Sequence, residues 1–129
     1  MNRRNRHGSW KGLAAAGLGL LFAMLFVLVP FAVAQDKSFS GVITDEHLNC
    51  EQTPMKATQG VTDKTSCVLY WAHFVQPPSK YVLYNPADKK TYQLSDQDQA
   101  QVFAGEKVQV TGTLDSTTMT IKVKEIKVP

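Results

Sequence analysis

The chain has 129 residues, enough for one small domain. It carries 14 Lys and Arg against 11 Asp and Glu, for a formal net charge of +3, and two cysteines. Four of the basic residues (Arg3, Arg4, Arg6 and Lys11) lie in the first 34 positions, whereas every acid lies beyond Gln35. The remainder is therefore near neutral, with ten bases against 11 acids, which excludes the basic footprint of a nucleic-acid binder.

The N-terminal third is built for export. The basic start is followed by Leu13 to Ala34, 22 residues without a charge, ending in Ala32-Val33-Ala34. A basic region, an apolar region and an A-x-A site describe a secretory signal helix, with cleavage expected after Ala34. The alternative is an uncleaved anchor, because about 20 apolar residues suffice to cross a bilayer. Pro30 just before the A-x-A and the polar chain just after it favour cleavage. The division is thus a signal peptide over 1–34 and a domain over 35–129, periplasmic or secreted. Contact with a membrane is expected only through the signal segment, if it is retained.

Outside the cytoplasm an even cysteine count favours pairing, so Cys50 and Cys67 are expected to form a disulfide.

Strand one is predicted over Ser38–Thr44, with Phe39 and Ile43 on one face and Gly41 marking a bend. Asp45 to Asp63 shows no period and reads as loop, with Asp45 and Glu46 as a solvated turn. In the next stretch Cys67, Tyr70, Trp71 and Phe74 fall at i, i+3, i+4 and i+7, one helical face, with Asp63 as cap and Pro77-Pro78 as stop. A strand is the alternative there, given the aromatic and β-branched content; the helical spacing is preferred. Lys80–Tyr84 and Thr91–Ser95 make a hairpin around Asn85-Pro86, with Tyr92 and Leu94 inward.

Ser95 is predicted to cap a short helix ending at Gly105, with Asp98 three residues on. Lys107–Leu114 alternates cleanly, and a last strand carries Met119, Ile121 and Val123 inward. Its phase slips at Lys124, predicting a bulge there, before Ile126 and Val128 resume the apolar positions. The whole is an all-β chain with short helices. Its order, with a helix between strands three and four, is that of a five-stranded OB-like barrel.

Several runs carry a family resemblance. They are Gly41–Asp45, Cys50, Cys67-Val68, Tyr81–Leu83, Tyr92–Gln97 and above all Ala104–Leu114, which reads AGEKVQVTGTL. They resemble an uncharacterised family of small exported bacterial proteins with an OB-like domain opening on G-x-I-x-D…C. The resemblance covers most of 38–128 and implies the fold and export, with no established activity. The cysteine stands five residues after Asp45, further than is common in that family.

The chemistry-bearing residues are few. His47, Cys50, Cys67 and His73 form the one set able to ligate zinc or, with Met55, copper, but their spacing matches no metal motif and the disulfide reading is preferred. Neither C-x-x-C nor C-x-x-C-H occurs, and no G-x-S-x-G turn offers a nucleophile. No cofactor and no catalytic residue are expected. Aromatics crowd the middle third, and the expected binding residues are Trp71, Tyr84, Lys89 and Tyr92, beside the strand-two and strand-three face that OB-folds use. The expected function is a non-catalytic binding module for an extracytoplasmic protein, peptide or glycan. The runner-up is a metal-binding or redox-sensitive protein built on the Cys/His set.

Overall fold

The computed structural model describes residues 35–129, and the expected signal helix of 1–34 lies outside them. In chain order the elements are β1 (Lys37–Asp45), a 3-10 turn (Asn49–Glu51), α1 (Lys64–His73), β2 (Tyr81–Asn85), β3 (Lys90–Leu94), α2 (Gln97–Val102), β4 (Lys107–Asp115) and β5 (Thr120–Lys127). The described residues are mostly β, with five strands and two short helices, and α2 sits between β3 and β4 as the sequence predicts.

β1 organises the sheet because it is long enough to serve two partners. Its first half runs antiparallel to β4, with Phe39 opposite Val110; its second half runs antiparallel to β2, with Ile43 opposite Leu83. Gly41 stands where the two pairings meet. A Cβ there would lie 2.5 Å from the carbonyl oxygen of Tyr84, so only glycine fits without moving β2. β2–β3 and β4–β5 are antiparallel hairpins, and β3 meets β5 in parallel at Gln93–Thr120 and Leu94–Ile121. The order is β1-β2-β3-β5-β4, and the β1–β4 pairing closes the sheet on itself.

Alternation places Ile43, Leu83, Tyr92, Leu94, Val108, Val110 and Ile121 inside this closed sheet. Val68 of α1 and Ala100 of α2 join the same core. The β4–β5 register shifts between Thr111, opposite Glu125, and Gly112, opposite Val123, which leaves Lys124 as the extra residue. The bulge therefore falls where the phase slip predicts it and returns Ile126 to the interior. Val128 is a correction: it lies past the end of β5 and is 60% exposed.

Ser95 is a second correction. The cap of α2 is Asp96, whose Oδ1 accepts the Gln99 N–H at 2.9 Å. Ser95 is still running beside β5: its N–H donates to the Ile121 carbonyl at 3.1 Å, and its Oγ accepts the Val123 N–H at 2.8 Å. β5 continues where β3 has stopped, and its amides need other acceptors. Ser95 supplies one and Gln99 Oε1 supplies the next, to Ile126 N–H. Gln97 does the same for β2, accepting from Tyr81 N–H at 2.8 Å and donating to Tyr81 and Leu94 carbonyls. Polar residues around α2 thus stand in for a missing stretch of strand.

Candidate functional site

The 35 residues between β1 and β2 hold the candidate site, and Asp45 fixes their start. Asp45 is no solvated turn residue; it is 1% exposed. One carboxylate oxygen accepts the Asn49 N–H at 3.0 Å and the Asn49 side-chain amide at 2.9 Å. The other accepts the Cys50 N–H at 2.9 Å. A buried carboxylate is tolerated because these donors replace its water. The result is a 3-10 turn wound onto the end of β1, with Cys50 aimed inward.

Cys50 is bonded to Cys67 of α1, with the two Cα atoms 5.8 Å apart and both residues buried. Three further contacts fix α1. Lys64 pairs with Glu51 at 3.0 Å; Thr65 Oγ1 donates to the Ala104 carbonyl at 2.8 Å; and His73 Nε2 meets the Tyr81 hydroxyl at 3.2 Å. Gly105 receives the helix start. Its φ of +80° is the left-handed conformation, and a Cβ there would lie 2.5 Å from the Thr65 backbone nitrogen. Asp63 caps α1 as predicted. The Ser66 backbone N–H, then the Ser66 hydroxyl, hold its carboxyl below the usual carboxylate range.

The inward face of α1 differs from the spacing-based expectation. Cys67 and Val68 are buried, whereas Phe74 is 79% exposed. The disulfide sets which way Cys67 points, and Phe74 is the C-cap residue, where the regular helix ends. Its ring stacks on Tyr70, with centroids 6.4 Å apart and planes 18° from parallel. Tyr70 in turn meets Trp71 edge-on at 5.8 Å. Beside them lies an apolar groove of about 440 Å³, lined by Thr58, Val61, Ser66, Leu69, Tyr70 and Phe74, with no charged side chain in the lining.

The predicted binding residues do not converge. Trp71 is half-buried, packs against the core and donates its indole N–H to the Lys56 carbonyl, so it ties down the loop. Tyr92 is inside, 8% exposed, with its ring 5.3 Å from Phe39. Tyr84 pairs with Thr91 on the neighbouring strand register, hence on the other side of the sheet from Tyr92. Lys89 is exposed in the β2–β3 turn. Of the residues that do come together, Tyr70 and Phe74 belong to the aromatic cluster and share the helical spacing of Trp71, whereas no sequence signal singles out Leu69.

The proposed metal set is likewise dispersed. Cys50 and Cys67 are bonded to each other, His47 is exposed near Glu46 at 3.9 Å, and His73 is engaged by Tyr81. Among the described residues no group of three or more His, Cys, Asp or Glu side chains gathers in metal-holding geometry. No helix among them is long and apolar enough to cross a membrane. No protein-family model, no curated protein and no solved structure matches the chain.

Proposed function

We propose that residues 35–129 form an OB-like barrel serving, outside the cytoplasm, as a non-catalytic binding domain. Its ligand is an apolar or aromatic segment of a protein or peptide, docked on the outer face of α1. The strand order, with a helix between β3 and β4, supports the barrel assignment. A disulfide is compatible with an oxidising compartment. The resemblance to small exported bacterial proteins points the same way. The neutral balance of 35–129 favours such a ligand over nucleic acid.

The observation that carries the reading is Phe74. A phenylalanine 79% exposed, stacked on a tyrosine at the rim of an uncharged groove, is the geometry of an interaction site. Covering such a ring contributes about 1.5–3 kcal/mol. The helix that carries it is held rigidly by the disulfide and Asp45, which limits the entropy lost on binding.

Selection of random linear peptides displayed on phage, against the disulfide-bonded protein, tests this. Enriched peptides should carry an aromatic or large aliphatic anchor, bind saturably, and lose binding to Phe74→Ser and Tyr70→Ala. Absence of enrichment, or binding that survives both substitutions, would refute it. Enrichment of glycans instead, on an array probed with the same variants, would replace the peptide by a sugar.

A further inference from the structure

Among the described residues, the side-chain ties of the N-terminal end begin at Asp36. Its Oδ1 accepts the Thr113 hydroxyl of β4 at 3.1 Å, and its Oδ2 accepts the Lys124 ammonium at 3.2 Å. Lys124 is the extra residue of the β5 bulge, so the bulge that returns Ile126 to the core also supplies a cation where the chain enters the sheet. The Lys124 hydrogen bond first, then that of Thr113, hold the Asp36 carboxyl below the usual carboxylate range. Asp36 is therefore ionised at neutral pH and already engaged. Gln35, one residue further out, is exposed and precedes β1, which begins at Lys37.

Cleavage after Ala34 gives Gln35 a new α-amino group. We propose, resting on the exported reading above, that this glutamine closes on itself and the mature chain begins with pyroglutamate. The α-amino nitrogen attacks its own side-chain Cδ and forms a five-membered lactam. The N–Cδ bond forms, the Cδ–Nε2 bond breaks, and Nε2 leaves as ammonia with a proton taken from the amine. Nothing is oxidised or reduced, and no co-reactant enters.

The reaction needs a neutral amine, and an α-amino group titrating near pH 8 is neutral in about a tenth of molecules at pH 7. Two features of the structure favour it. Gln35 lies outside the regular strand, so its side chain can fold back onto its own nitrogen. The neighbouring carboxylate that would hold the amine as an ammonium, that of Asp36, is taken by Thr113 and Lys124. The cyclised end carries no charge. Exopeptidases that grip a free α-ammonium then cannot trim the chain into β1, whose first half pairs with β4.

Intact-mass spectrometry of the full chain, expressed with export and followed from fresh isolation through incubation at neutral pH, tests this. The mass should be that of residues 35–129, less the two hydrogens of the disulfide and less one ammonia, with the cyclised fraction growing during incubation. Gln35→Ala should keep its ammonia-free mass constant and its terminal amine reactive. Lys124→Gln, which releases the Asp36 carboxylate to hold the ammonium, should slow the loss of ammonia about twofold at low salt. A mass that still includes residues 1–34 refutes cleavage and cyclisation together. A chain starting at Gln35 that keeps its ammonia and a reactive amine refutes the cyclisation alone. Equal rates in the wild type and Lys124→Gln would overturn the part given to Asp36.

Discussion

Replacing Asp45 by Asn keeps the shape of the side chain and removes its charge. In the wild type the carboxylate accepts from the Asn49 N–H, the Asn49 side-chain amide and the Cys50 N–H, all at 2.9–3.0 Å and with Asp45 1% exposed. The amide nitrogen of the substitute would face one of these donors, leaving at least one buried N–H without an acceptor. Hydrogen bonds to a charged group contribute about 1.5–3 kcal/mol each, and they are not additive here because the donors share one turn. Asp45→Asn should therefore cost about 3 kcal/mol, and Asp45→Ala about 3–5 kcal/mol. A domain of this size has about 5–15 kcal/mol in total and loses about 4–8 °C per kcal/mol. Urea unfolding followed by tryptophan fluorescence gives the free energy, and a thermal melt gives an independent reading. Because Asp45 acts on the residue that carries the disulfide, its effect should shrink in a Cys50→Ala/Cys67→Ala background. That non-additivity should be about 1 kcal/mol or more. A loss under about 1 kcal/mol for both Asp45 variants, or strict additivity with the cysteine pair, would refute the role given to this carboxylate.

Removing the disulfide itself, by Cys50→Ala/Cys67→Ala, opens a crosslink spanning 17 positions and should cost about 3 kcal/mol in urea unfolding. Gly105→Ala forces a side chain into a left-handed conformation and against Thr65; a loss of about 1–3 kcal/mol, with weaker amide-exchange protection at the start of α1, is expected. Burial raises the Tyr81 hydroxyl above its ordinary value of about 10. The stability this group contributes is whole below that value and is lost as pH climbs through the raised one, so Tyr81→Phe should flatten the alkaline limb of the stability curve. Asp63 behaves in the opposite sense. Its lowered carboxyl contributes above the ordinary aspartate range and loses that contribution as pH falls through the depressed value, so Asp63→Asn should reduce the acid dependence of α1 unfolding.

Local signals were legible where local physics decides the outcome. The alternation of β4, the cap at Asp63 and the bulge at Lys124 depend on neighbours in sequence, and all three stand where the sequence places them. The pairing of Cys50 with Cys67 followed from compartment chemistry. Long-range partners were not legible. Asp45 looks like a turn acid until Asn49 and Cys50 fold back onto it. Ser95 looks like a helix cap until β5 arrives beside it and takes its hydroxyl oxygen. The same limit hid the site. Tyr70, Trp71 and Phe74 are equivalent in spacing, and only the disulfide, the Lys56 carbonyl and the end of α1 decide which ring is tied down and which is left outside. The sequence marks Tyr92 both as inward and as a binding residue; in the structure its ring is buried against Phe39.

Backbone amide shifts of the disulfide-bonded protein, recorded while a short peptide bearing one phenylalanine among glycines and serines is added, test the binding reading most directly. The account predicts saturable changes confined to Thr58, Val61 and Ser66 through Phe74, abolished by Phe74→Ser. Changes centred instead on Tyr84 and Lys89, or an unchanged spectrum at millimolar peptide, would contradict it.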